Sequence, residues 1–172
     1  MSSRVERDAA YTAFVQGRQT HLRRIAYAIC GDWHRADDVL QTALAKLYAN
    51  WSRIQQAGKE EAYARQIIVR ADLDDRRRAW RRRESPGLDG HDRQTRVDLP
   101  VEERSALFEA LQSLPVMQRK VVVLRHWLGL SVRETADELR LSEGTVKSHS
   151  ARGLDALRAA LSPVHHPGES NA

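Results

Sequence analysis

This chain has little of what usually identifies a protein's chemistry. Cys30 is its one cysteine, so no internal disulfide can form, and an unpaired thiol fits a reducing cytoplasm. It is expected to pack as a small apolar residue. Phe, Trp and Tyr together make up only 6% of the 172 residues, a supply that suits thin helical cores. No apolar run reaches the roughly 20 residues that a bilayer-spanning helix needs, and no secretory leader opens the sequence. Strand-like alternation and internal repeats are missing. So are Gly-rich phosphate loops and nucleophile signatures. These absences lead to the expectation of a soluble, cytoplasmic, all-α protein that is not an enzyme and needs no metal or cofactor.

What the chain does have is charge. Asp, Glu, Lys and Arg make up 30% of it, the net charge is +5, and most of the basic residues are Arg. The guanidinium fork suits flat contacts to phosphate, although a mildly basic balance alone is weak evidence for nucleic acid. Apolar residues recur at three and four from Tyr11 to Ile29, from Ala36 to Tyr48, and again at Tyr63, Ile67, Ile68 and Ala71. These mark three helices in a first lobe, residues 8–83. From 84 to 101 the period disappears among Pro86, Gly87, Gly90 and Pro100, which predicts a flexible linker. Four shorter helices follow in a second lobe, 102–161. Leu107, Phe108, Leu111 and Leu114 line the first, and Pro115 opens the second. Residues 162–172 have no apolar pattern and are expected to be disordered.

The densest signal runs from Ser131 to His149. Ser131 with Glu134 forms a capping box that starts one helix, and Ser142 caps the next after a short turn. Val132, Ala136 and Leu139 share a face towards which Val146 points, with Ala136 small enough for a steep crossing. Glu143, Thr145, Lys147, Ser148 and Arg152 are left on the open side, where a major groove would lie. An ordinary helical corner is the alternative reading.

A second signal lies upstream. Eight arginines fall between Arg65 and Arg83, along an amphipathic helix that also carries Trp80. Trp51, Tyr63 and a loop with Arg53, Gln55, Gln56 and Lys59 adjoin it. Cations beside aromatics and amides can grip a DNA backbone and hold an unstacked base. A solvated charged face, and core contacts for Trp51 and Tyr63, are the simpler alternatives. Asp37 and Asp38 are expected to open the second helix. Gln41, Ala45 and Lys46 would then show a polar face to solvent or to a protein partner.

In order and spacing, CGDWHRADDVLQTALAKLYANW, AYARQIIVRADLDDRRR and LQSLPVMQRKVVVLRHWLGLSVRETADELRLSEGTVKSH resemble the bacterial RNA polymerase sigma factors of the extracytoplasmic-function class. The likeness spans about Tyr11 to Leu161 and is similar to an actinobacterial SigE-like branch. It implies a sigma-2-like lobe and a sigma-4-like helix-turn-helix lobe. It also implies a transcription-initiation role, with core polymerase and promoter DNA as partners and an anti-sigma factor as an optional one. Asp37, Asp38, Gln41 and Leu44 match the segment that docks on the polymerase clamp coiled coil. Val121 to Leu130 matches the surface that meets the β flap. Arg53, Lys59, Tyr63, Arg70, Asp74 and Arg77 match the region that recognises the −10 element and traps a flipped base. Arg133, Glu143, Thr145, Lys147, Ser148, His149 and Arg152 match the −35 reader.

The chain departs from the family pattern at several positions. Arg140 stands where a turn glycine is usual, so the turn must avoid a left-handed backbone or tolerate strain. Thr135 replaces a usual aliphatic residue. His149 and Ala151 differ from common Arg and aromatic residues, and Arg70 stands where Asn is frequent. Two rival functions can be weighed. A stand-alone helix-turn-helix regulator would explain the second lobe but leave DDVLQTAL and the Arg-rich helix idle. A nuclease using Asp37 and Asp38 fails because adjacent helical residues diverge by about 100 degrees. His165 and His166 could bind metal, but they fall in the expected tail.

Overall fold

The computed structural model describes residues 3–83 and 105–162. The expected linker and nearly all of the expected tail, with His165 and His166, lie outside the described residues.

Every described element is helical. Helix α1, Arg4–Cys30, starts with a Ser3–Glu6 capping box and stops at Gly31, which takes a left-handed φ of 76° and returns its N–H to the Tyr27 carbonyl. Asp32 then caps α2, Trp33–Ala49, by accepting from the Arg35 amide. Asp37 therefore lies one turn inside the helix and is not its opening residue. A short α3, Trp51–Gln56, occupies sequence expected to be a loop. It forms because Trp51 and Ile54 are buried, with the Trp51 ring edge-on to Tyr11 at 5.3 Å and beside Phe14 at 5.5 Å. Helix α4, Glu60–Arg83, carries the Arg-rich sequence, with Ala64, Ile68 and Val69 turned into the core.

The second group begins with α5, Ala106–Ser113, capped by Ser105. Pro115 precedes α6, Val116–Val122, which loosens into a π turn over Val123–Trp127 before Gly129 ends it at φ 71°. Helix α7, Val132–Leu139, and α8, Glu143–Leu161, follow. Leu111 and Leu114 join the core as expected, whereas Leu107 on the same helix is exposed.

The two helix groups pack directly on each other. Tyr27 stacks flat on Trp33 at 3.9 Å and also meets Phe108 of α5, which is in turn edge-on to Trp127. Arg119 of α6 donates to the carbonyl of Ile29, near the C-terminal end of α1, at 3.2 Å. Lys120 of α6 and Asp72 of α4, both fully buried, form an ion pair. A Cβ on Gly31 would lie 2.7 Å from Gln112 Oε1 and 2.9 Å from Arg119 Nη2. A larger residue would push the ends of those two side chains aside, and the left-handed backbone at Gly31 would strain it in any case.

Candidate nucleic-acid interface

The helix pair α7–α8 forms as its local sequence dictates. Ser131 Oγ accepts from the Glu134 amide at 3.1 Å, and the Glu134 carboxylate accepts from the Ser131 amide at 2.7 Å. That bond to the charged form holds the Glu134 carboxyl below the usual range. Ser142 Oγ accepts from Thr145 N–H at 3.1 Å and shares a hydrogen with the Thr145 hydroxyl at 2.8 Å. Ala136, Leu139 and Val146 are buried where the helices cross.

Arg140 takes the left-handed conformation at φ 55°, ψ 45° and passes its N–H to the Ala136 carbonyl. Among the described residues it alone is a non-glycine at positive φ. The turn thus keeps the geometry that usually calls for glycine and tolerates the strain. Thr135 is fully buried, and its hydroxyl has no hydrogen-bond partner among the described residues.

On the open side, Arg133, Glu143, Lys147, Ser148 and Arg152 are exposed. Thr145 and His149 are half-buried, and the Thr145 hydroxyl is already engaged with the cap. Gly153 faces inward, where a Cβ would lie 2.6 Å from Val122 Cγ2, so α8 presses tightly on α6. Its one signal in the sequence is a midhelix position next to the open face.

On α4, Tyr63, Arg70, Asp74 and Arg77 recur at seven, four and three, which places them along one stripe. Arg70, Asp74 and Arg77 are exposed, and Arg53 and Lys59 are exposed nearby. Tyr63 is half-buried, its hydroxyl accepting from Asn50 Nδ2 at 3.3 Å. Trp51 is core, not a stacking platform. A cleft of about 500 Å³ opens beside Lys59, lined by Phe14, Arg18, Gly58, Lys59 and Arg65 together with the carboxylates Glu60 and Glu61. Phe14, Arg18 and Glu61 of this cleft had no signal in the sequence reading, because α1 brings Phe14 and Arg18 there from a distance.

The face of α2 is narrower than expected. Asp38, Gln41, Ala45 and Lys46 are exposed. Asp37 is half-buried and held by Arg23 at 2.7 and 3.3 Å, with the same guanidinium over the Trp33 ring at 4.5 Å. Leu44 is only 6% exposed, so it belongs to the core and is removed from the expected docking face. The expected flap surface also changes. Val121 to Leu124 and Leu130 are buried, which leaves His126, Trp127 and Gly129 exposed beside half-buried Arg125 and Leu128. Among the described residues no group of three or more His, Cys, Asp or Glu gathers as a metal site, and no helix is long and apolar enough to cross a membrane.

Comparison with known proteins agrees with this arrangement. Residues 14–82 match the family model for sigma-70 region 2, and 104–157 match that for sigma-70 region 4. The RNA polymerase sigma-E factor of Streptomyces coelicolor is 36% identical over 162 residues, covering 88% of this chain and 85% of that protein. The ECF RNA polymerase sigma factor SigM of Mycobacterium tuberculosis is 32% identical over 155 residues, covering 88% and 77%. Among solved structures, the sigma factor RpoE of Bartonella quintana, in complex with the anti-sigma factor NepR, shares the fold. Its TM-score is 0.63 at 22% identity, over 88% of this chain and 96% of that one. With two helical groups in this order and relatives alike over most of its length, the chain belongs to the extracytoplasmic-function class of bacterial RNA polymerase sigma factors.

Proposed function

We propose that the chain does the work of a sigma factor through four surfaces carried by different helices. As a member of this family it binds core RNA polymerase and directs promoter-specific initiation, and the surfaces assign that work to residues. Exposed Asp38 and Gln41 on α2 form the docking face for the polymerase clamp, with Asp37 held beside them by Arg23. Trp127, 39% exposed at the end of the π turn, is the apolar point offered to the flap of the β subunit. Lys147, Ser148 and Arg152, with Arg133 and Glu143, read the −35 element from α8 and α7. Arg53, Lys59, Tyr63, Arg70, Asp74 and Arg77 hold the −10 strand.

The observation that carries this reading is the pair of separate cationic faces, one on a capped helix-turn-helix and one along a long helix beside a cleft. A duplex reader needs only the first. Strand opening takes a few kcal/mol per unstacked base, which a surface that captures the extruded base can offset. The chain supplies placement and strand capture, and the bond-making chemistry is the polymerase's. This work places the protein in the cytoplasm, with the polymerase and the chromosome. By analogy with the RpoE–NepR complex, an anti-sigma protein is a further partner. We take 8–83 and 102–161 as the two functional units.

Run-off transcription with core polymerase and genomic promoter fragments tests the whole reading, and failure to initiate on any fragment would favour a stand-alone regulator. The −10 assignment has its own test in the holoenzyme. Tyr63→Ala combined with Arg70→Ala should reduce permanganate reactivity of promoter thymines more than it reduces gel-shift binding. Equal losses would refute this division between opening and anchoring.

A further inference from the structure

Helix α6 does not run straight into Gly129. Over Val123–Trp127 its turn takes in an extra residue, closed by Leu128 N–H on the Val123 carbonyl at 3.0 Å, and the Arg125 guanidinium donates to the Leu130 carbonyl across the end. Such π turns are rare and occur mostly at functional sites. Here the turn aims two neighbouring side chains at two different helices. Trp127 meets Phe108 of α5 edge-on at 5.9 Å, and His126 Nε2 lies 2.8 Å from Ser150 Oγ on α8.

Ser150 stands at a boundary on α8. At about 100 degrees per residue it lies about 60 degrees round the helix from Lys147 and about 40 degrees from Val146. It is half-buried, between the packed side and the open side that carries Lys147, Ser148 and Arg152. The nearby seating of α8 is apolar, with Val146 fully buried and Gly153 pressed on Val122. That packing fixes how near α8 lies. A hydrogen bond adds direction, because it weakens steeply when its partners turn out of line, so the His126–Ser150 bond responds to the roll of the helix. The His126 ring makes it as a neutral group. Burial, and then the Arg125 cation beside it, hold the ring below the usual histidine range, so at neutral pH it is not one more cation for phosphate.

We propose that His126 is a positioning residue for −35 recognition: through Ser150 it sets the roll of α8, and so the direction in which Lys147, Ser148 and Arg152 meet the major groove. The inference rests on reading α8 as the −35 helix. Trp127, the point offered to the β flap, is the next residue on the same turn. Polymerase docking and DNA reading therefore share one support.

The test uses purified holoenzyme and a fluorescein-labelled duplex carrying the −35 element of a promoter that run-off transcription identifies. His126→Ala, Ser150→Ala and the double variant are compared with the parent, each chain first shown by far-UV circular dichroism to be fully folded at the assay temperature. Lower stability alone then leaves affinity unmoved. Each single variant should bind about three- to tenfold more weakly, because the fraction holding the productive roll falls by what one hydrogen bond supplies. The double variant should be no weaker than either single one, since both remove the same bond. His126→Gln, whose amide can reach Ser150 from the same place, should restore most of the affinity. Parent-like affinity in His126→Ala, additive losses in the double variant, or no recovery with glutamine would each overturn the role. Arg152→Ala in the same assay judges the −35 reading separately. A loss there with none in His126→Ala overturns the positioning role alone, and no loss in either overturns both.

Discussion

Replacing Thr135 with valine should make the protein more stable. The side chain is 0% exposed within the α7–α8 corner, and its hydroxyl has no hydrogen-bond partner among the described residues. A buried hydroxyl without a partner costs about 1–3 kcal/mol relative to water. The added methyl group contributes about 0.8 kcal/mol by leaving water. Both side chains branch at Cβ, so helix propensity hardly changes. Imperfect fit of the new methyl removes part of the gain, which leaves a net stabilisation of about 1–2 kcal/mol. Followed by far-UV circular dichroism, the urea midpoint should rise by about 0.5–1 M for an ordinary slope. Thr135→Ser keeps the hydroxyl, loses the methyl, and should lower stability by about 1 kcal/mol, moving the midpoint the other way. The residue lies away from the open face, so −35 DNA affinity should stay constant. An unchanged or lower midpoint for the valine variant would refute the reasoning, because the hydroxyl must then have a partner.

Other substitutions probe other links of the argument. Gly153→Ala would push a Cβ to 2.6 Å from Val122 Cγ2 and 3.3 Å from the Gln118 carbonyl. The expected loss is about 1–3 kcal/mol in urea unfolding, and an alanine chain as stable as the parent would show that α8 can move off α6 freely. Asp38→Arg should reduce co-purification with core polymerase while leaving the circular dichroism spectrum unchanged, and normal co-purification would remove that face. Arg152→Ala should weaken −35 duplex binding by the holoenzyme by about 1–3 kcal/mol in a filter assay, if the side chain meets a base edge. No change would exclude it from the reader.

What could be read from the sequence was local. Ser131 with Glu134, and Ser142 before α8, satisfy helix ends within a few residues, so their residue types predict their bonds. The stripes of α2 and α4 were legible for the same reason. Helix α3 was not, since six residues are too few to show a period and its cause is the burial of Trp51 against Tyr11 and Phe14. At Arg140 the strain was foreseen but its outcome was not. Only the packing of α7 on α8 could decide between an altered turn and a left-handed arginine.

Burial decides the remaining differences, and burial is not a property of any one helix. Leu44 and the Val121–Leu124 run read equally well as docking surface or core, because an apolar side chain is needed in both. They are buried because other helices cover them, and for the segment that carries Val121–Leu124 those include α1 of the first lobe as well as α8. Lys120 and Asp72 are the reverse case. In the sequence they look like two more solvated charges among many, 48 positions apart, and lysine is almost never fully buried unless paired. Only the docking of one lobe on the other makes them partners. Separating the lobes would restore water to both ends, so the pair that is most hidden in this structure is also the one whose state depends most on lobe arrangement. The lobe interface is therefore the place where the folded chain can couple its shape to its partners.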